Sequence, residues 1–330
     1  MSESTSEKRA FWAPVIQISV MVTVIVSTIL TIFAWPVATA TPKDVPIGVT
    51  SPVPNVASGL QGQFDSVQKG SFKFIEYKDI AAAKKAVERR EVYGAIVLDS
   101  NPEIMIATGA SPAMAQLITN IGTELGNQLT KANGGSAFVF KVTDLASVGT
   151  KDPRGLGLSA GSLPLIIAGI VVGILGSLRL RKRSQKFAVA GIAGLLAASS
   201  IVAILNLWLG SLAGNYFLEV LVVALGIAAV SLTVMGAAGL AKRAGLLAVI
   251  GLFFIIGNPL AGVALPVEFY PTGFGIFGQY LPLGAEVNLL RRISYFPQAD
   301  TTMQWVTLSA WLVVGIALVV LSGLRKPKAE

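Results

Sequence analysis

The sequence predicts an α-helical polytopic membrane protein with six transmembrane helices, plus a small α/β extracytoplasmic domain between the first and second helices. Three observations lead there. Apolar residues make up 53% of the chain and charged residues only 13%, about half the ~25% charge of soluble domains. Charge is missing over whole blocks, 10–42, 155–178, 187–218, 220–241 and 244–267; a hydrocarbon core about 30 Å thick asks for some 20 apolar residues per helix. The one long stretch that breaks this pattern, from Lys43 to Arg154, holds 12 basic and 11 acidic residues and is nearly neutral.

Taken in order, residues 1–13 form a cytoplasmic segment with Lys8 and Arg9, and 14–36 form the first span. A cleaved signal peptide would also begin with a basic pair, and Ala38-Thr39-Ala40 resembles a cleavage site. The apolar run is longer than the 7–15 residues of such a leader, which favours a retained helix. Residues 41–155 read as α/β. Val45–Val49 is a strand, Val56–Val67 a helix, and Phe72–Tyr77 alternates like a strand. Asp79 is placed to cap a helix from Ile80 to about Arg90, and Val92–Leu98 and Glu103–Ala107 are neighbouring strands. Pro112 opens a long helix to Lys131, Ala137–Val142 returns as a strand, and 149–161 is a linker. Residues 160–324 form a five-helix membrane domain with spans at 160–178, 187–209, 216–240, 245–265 and 303–324, and 325–330 is a tail.

The net charge of +8 could suggest nucleic acid, but its placement marks topology instead. The excess sits at span ends: Lys8, Arg9, Arg179, Arg181, Lys182, Arg183, Lys186, Lys242, Arg243, Arg325, Lys326 and Lys328. Positive charge stays on the cytoplasmic side, which suggests a multi-pass protein of the cell (plasma) membrane with both termini cytoplasmic and residues 41–155 extracytoplasmic. Trp12, Trp35, Trp208 and Trp305 near span ends suit an aromatic belt.

Cysteine and histidine are absent, removing thiolate chemistry, the commonest proton shuttle and the commonest metal ligand. We therefore expect no enzyme, cofactor or metal. Gly157-Leu-Ser159-Ala-Gly161 imitates a nucleophile elbow but has no histidine to serve it, and reads as a flexible lead-in to the second span. Gly273-Phe-Gly275-Ile-Phe-Gly278 imitates a dinucleotide loop outside the strand–helix context that motif needs. No P-loop occurs, so any ATP hydrolysis belongs to a partner.

Polar residues at membrane depth are costly and mark candidate sites. Asn206, Glu219, Asn258, Pro259 and Glu286 are candidates for a substrate path. Glu219, with Asn215 placed to cap its helix, reads either as an interfacial carboxylate at a helix N-terminus or as a path residue. Pro259 must interrupt helix hydrogen bonding, as a kink or as a hinge. Residues 266–292 are too apolar for a free loop and too broken for a span, which suggests a re-entrant hairpin in the outer leaflet held at the headgroups by Arg291 and Arg292. The Arg179–Arg183 cluster faces anionic lipid or a cytoplasmic partner, while Lys84, Lys85, Arg89 and Arg90 read as a solvated face. Small residues at Gly169/Gly173/Gly176, Gly191/Gly194, Ala224/Ala228 and Gly236/Gly239 allow close helix packing or a dimer seam.

The chain resembles permease subunits of ABC type-2 exporters, with the phage-infection-protein branch the most similar. The resemblance rests on the layout of one span, an external domain and five spans. It rests also on Val45-Pro-Ile-Gly-Val49, Ile80–Glu88 and Glu91–Leu98, and on Asn258-Pro259-Leu-Ala-Gly262, Pro266, Pro271, Leu281-Pro282 and Leu289–Arg292. It implies a homodimer, or a heterodimer with a similar permease, bound to a cytoplasmic ABC ATPase and exporting a lipid, glycan, peptide or drug-like molecule. Lys8, Arg9, Arg179, Arg181, Lys182 and Arg183 would then touch the ATPase. The alternative is a non-transporting membrane-anchored scaffold or receptor presenting 41–155 to envelope components.

Overall fold

A computed structural model describes residues 3–324 apart from 133 and 264, without the side chains of 3–10. The side chains of Lys8 and Arg9 and the basic tail 325–330 therefore lie outside what the structure describes. The first helix, α1 (Glu3–Ala38), is apolar on every side from Phe11 onward. Ser19, Thr23, Thr28 and Thr31 turn their hydroxyls back onto the carbonyl four residues earlier, which satisfies those polar groups within the helix. None of its 18 most apolar consecutive residues is buried, and a helix apolar all round belongs in hydrocarbon or against a partner. Near its end, Trp35 packs edge-on against Phe274 at 5.6 Å.

The α/β domain comprises β1 (Val45–Thr50), α2 (Val56–Val67), β2 (Phe72–Glu76), α3 (Ile80–Glu88), β3 (Gly94–Val97), β4 (Glu103–Ile106), α4 (Pro112–Ala132) and β5 (Lys141–Asp144). The sheet order is β2-β1-β3-β4-β5. Strand β1 runs parallel to β2 and β3, β4 pairs antiparallel with β3, and β5 runs parallel to β4. Val45, Ile47, Val49, Ala95, Ile96 and Val97 are fully buried, as continuous apolar strands covered on both faces should be. Asp79 caps α3, its Oδ1 accepting from the Ala82 amide at 2.7 Å. The strand expected over Ala137–Val142 pairs only from Lys141 onward. The Phe138 amide donates instead to Thr130 Oγ1 at 2.9 Å, which ties this segment to the end of α4.

The rest is helical: α5 (Gly157–Arg179), α6 (Arg183–Val202), α7 (Tyr216–Ile250), α8 (Gly257–Leu260), α9 (Phe274–Gln279), α10 (Pro282–Tyr295) and α11 (Thr302–Ser322). A π-helical turn, Ala203–Trp208, extends α6, and another, Gly251–Ile256, joins α7 to α8. Gly157–Gly161 opens α5 and is helical, not a flexible lead-in. Among the described residues five helices are long and apolar enough to cross a membrane, where the sequence suggested six. The difference lies in Tyr216–Leu260, counted as one stretch of 45 residues. Straight, it would measure about 68 Å, twice a hydrocarbon core. It is not straight: Ala241 and Lys242 leave helical geometry, Lys242 at φ 52 and ψ −130. Past this break the chain doubles back, and a Cβ on Gly245 would stand 2.2 Å from the Ala237 carbonyl.

Glycines set the packing about α7. Cβ atoms at Gly169 and Gly173 of α5 would fall 2.7 and 2.6 Å from the Cβ atoms of Val230 and Val234. On α7 itself, Gly236 admits Leu318 and Gly239 admits Ser322 of α11. Partner numbers rise together in both pairs, so α5 and α11 run parallel to the first half of α7. Lipid cannot drive helices together by the hydrophobic effect, and such close backbone approach supplies the dispersion contacts that do.

Basic residues collect at the end of the bundle away from the α/β domain. Arg179, Arg181 and Lys182 are exposed in the α5–α6 turn, beside the exposed Lys242 and Arg243 of the α7 break. The Arg183 guanidinium lies over Gly323, just past the C-terminus of α11, where the helix dipole favours a cation.

Candidate functional site between the domain and the bundle

Helices α9 and α10 fill the space between the α/β domain and the bundle. Helix α10 is built for this place. Pro282 sits at its first position, where no amide hydrogen is needed, and Leu283, Ala285, Val287, Leu289 and Leu290 are buried. At its far end Phe296 enters the core of the α/β domain, packed with Tyr295 and Phe269. On the bundle side, Trp311 Nε1 donates to the Tyr280 carbonyl at 2.8 Å.

The contact with the domain is polar and centred on Arg90 and Tyr93. Helix α3 ends at Glu88, and Arg90 takes a left-handed conformation at φ 57. This turns its side chain away from the α3 surface. Its guanidinium donates to Asn288 Oδ1, which also accepts from Arg292 Nε at 3.3 Å, and it lies 5.9 Å over the Phe296 ring. Tyr93 donates to Glu268 at 2.7 Å, and Asn288 Nδ2 donates to Gln279 Oε1 at 2.9 Å. These groups surround a cavity of about 110 Å³. It opens beside a wider cleft of about 480 Å³ that shares Arg90, Glu91 and Arg292. Burial and the Arg90 charge lower the Arg292 guanidinium to about 10. Burial lowers Arg90 and, with the nearby Glu268, raises the Tyr93 hydroxyl.

Two sequence expectations are corrected here. Lys84, Lys85 and Arg89 are exposed, but Arg90 belongs to this interface and not to a solvated face. Arg291 does not reach outward. It is only 9% exposed and donates to the carbonyls of Gly262 and Val263 at 3.2 and 2.7 Å. Those carbonyls follow α8, where the chain ends its helical run after Pro259, so the guanidinium takes up acceptors no further helix turn could use.

The five expected path residues do not converge. Asn206 and Glu219 form one group: the buried Glu219 carboxylate accepts from Asn206 Nδ2 at 2.8 Å, the Gly214 amide at 2.9 Å and Ser294 Oγ at 2.6 Å. Asn215 caps α7 by accepting from the Leu218 amide at 3.1 Å. Asn258 and Pro259 are half-buried in α8, next to the π-helical turn. Such a turn shifts the hydrogen-bond register ahead of the amide that proline lacks. Glu286 lies apart, 1% exposed against α7, and its Oε1 has no hydrogen-bond partner.

The Arg90–Tyr93–Glu268–Asn288 group escaped the sequence reading because Arg90 and Asn288 are 198 positions apart. One signal was available: Asn288, Arg291 and Arg292 are polar positions within a segment otherwise apolar enough to be buried. Chemically the arrangement suits binding and positioning. It presents guanidinium, phenol, amide and carboxylate groups around one cavity. In comparisons with known proteins, no family model, no curated protein and no solved structure matches the chain.

Proposed function

We propose that this chain is the membrane permease subunit of an ABC-type exporter, moving a lipid, glycan, peptide or drug-like substrate outward with a separate ATPase chain. The observation that carries the reading is the wedge formed by α9 and α10. The Arg90–Asn288 bond holds α10 to the α/β domain, the Tyr93–Glu268 bond holds the segment that leads into α9, and apolar packing holds α10 to α7 and α11 on the other side. A segment gripped from both sides can pass movement between bundle and domain.

In this reading there are six crossings, because the break at Lys242 divides Tyr216–Leu260 into two antiparallel passes. The α/β domain faces outward and both termini face the cytoplasm. The α9–α10 hairpin is re-entrant and closes the outer end of the path. Helix α1, whose most apolar stretch buries no residue in the monomer, completes a dimer seam. Arg179, Arg181, Lys182 and Arg183 form the surface that meets the ATPase, together with Lys8 and Arg9. The π-helical turns beside Asn206 and Asn258 are the places where the helices bend.

The test is capture of the full chain from native membranes in mild detergent. The reading expects a P-loop ATPase in the complex, with nucleotide hydrolysis that R181E/K182E removes. Recovery of the chain without any such ATPase contradicts it.

A further inference from the structure

We infer that the cavity between the α/β domain and α10 is a binding site for a phosphate group, held by Arg90, Arg291 and Arg292. The three guanidiniums come from two distant parts of the chain and line one cavity of about 110 Å³. A single enclosed water needs about 10–15 Å³ on this measure, so the space takes a tetrahedral oxyanion with part of what it is attached to.

Charge is the main argument. Each guanidinium carries five N–H donors and no acceptor. Together the three make five hydrogen bonds to protein, all to neutral oxygens: Asn288 Oδ1 twice and the carbonyls of Gly262, Val263 and Asp300. No ion pair within 4.0 Å involves any of them among the described residues; the three pairs found there lie along residues 78–91. Glu91 faces Arg89 at 3.9 Å. Glu268 accepts from Tyr93 and Asp300 Oδ1 accepts from Thr302 at 2.6 Å, and both keep their charge. Set against these two anions, the three cations leave an excess of one charge, with most of their N–H donors unused.

Burial first, and the Arg90 charge second, pull Arg291 and Arg292 down to about 10, so an anion between them would relieve an unfavourable grouping of buried like charges. A phosphate monoester brings about −1.5 to −2 charges near neutral pH, which covers the excess. Its oxygens also take guanidinium forks two N–H groups at a time, and it offers three terminal oxygens to three guanidiniums where a carboxylate offers two. Access is through the wider cleft that Arg90, Glu91 and Arg292 share with the cavity. The phosphate could belong to a lipid headgroup or be free in solution. The inference does not rest on transport, since an anion would bind here in a scaffold as well.

The experiment uses the full chain in nanodiscs of phosphatidylcholine alone, with pyrophosphate as the soluble probe, beside nanodiscs doped with phosphatidic acid. Binding is read by calorimetry for the first and by native mass spectrometry for the second. Pyrophosphate binding that weakens at least tenfold in R90Q and R292Q, but not in R89Q, supports the site and assigns a soluble phosphate. Retention of phosphatidic acid by wild type and R89Q, lost in R90Q and R292Q, supports it and assigns a lipid headgroup. Arg90→Lys should restore part of either. Size-exclusion profile and melting temperature identify a variant that has unfolded; should either Gln variant unfold, the Lys variant at that position gives the reading. Binding of neither probe by wild type, or equal loss in R89Q, overturns the inference.

Discussion

The carboxyl of Glu286 rests on the backbone of Gly226: a Cβ at Gly226 would stand 2.3 Å from Glu286 Oε2 and 2.5 Å from its Cδ. Glycine thus opens a slot in α7 that the side chain of α10 fills. Alanine at 226 should overpack it and lower stability by about 1–3 kcal/mol. The cost should largely disappear in Glu286→Ala, which a double-mutant cycle on detergent melting temperatures measures as coupling. Glu286→Gln should melt with the wild type, because a buried oxygen reached by no donor is held more cheaply on a neutral group.

Glu219 is the reverse case, a buried acid with its oxygens satisfied. Its carboxylate joins the π-helical end of α6, the 214 turn and α10 through three hydrogen bonds. Glu219→Ala orphans those donors at about 1–3 kcal/mol each. We expect a loss of about 3 kcal/mol or more in an unfolding titration, with Glu219→Gln losing less. A small effect of the alanine variant would favour a role on the substrate path over a structural one.

Glycines that look alike in sequence should behave differently. At Gly173 an added Cβ would meet Val234 Cβ at 2.6 Å, and a branched side chain at its own Cβ cannot swing aside. Gly173→Ala should cost about 1–3 kcal/mol. At Gly191 nothing lies within 4 Å, so Gly191→Ala should gain up to about 1 kcal/mol from helix propensity. Thermal melts of the two variants in one detergent check the contrast. Destabilisation by Gly191→Ala would point to a partner on that face.

The contrast shows how far the sequence reading reaches. Local chemistry was legible: Asp79 and Asn215 cap the helices they precede, because a cap depends on residues two or three positions away. Apolar blocks located the membrane helices for the same reason. Non-local choices were not legible. Spacing alone leaves Gly173 and Gly191 equivalent, and nothing near Arg90 announces that it will leave α3 and meet Asn288. Thr130 likewise outcompetes the sheet for Phe138, which delays β5 to Lys141.

Asp65 gives the α/β domain an acid-sensitive contact. Its carboxylate accepts from the Gly70 amide at 2.9 Å and from Gln61 Nε2 at 3.1 Å. The Gly70 bond, then the Gln61 bond, hold its pKa below the usual value. A depressed folded-state value means stabilisation present above the unfolded-state pKa, near 4, and lost as pH falls through the folded value. Asp65→Asn should therefore flatten the fall of melting temperature below about pH 4 and leave its shape at neutral pH unchanged. A pH profile identical to wild type would mean the contact is equally formed in the unfolded chain.

The functional reading depends on the α/β domain and the basic end of the bundle lying on opposite sides of the membrane, with the chain reversing at Lys242. The absence of cysteine makes this directly measurable with single cysteines in whole cells. Lys78→Cys in the domain should react with a membrane-impermeant maleimide in intact cells. Arg181→Cys and Lys242→Cys should react only after permeabilisation. Labelling of Lys242→Cys from the same side as Lys78→Cys would contradict the six-crossing arrangement and the exporter reading with it.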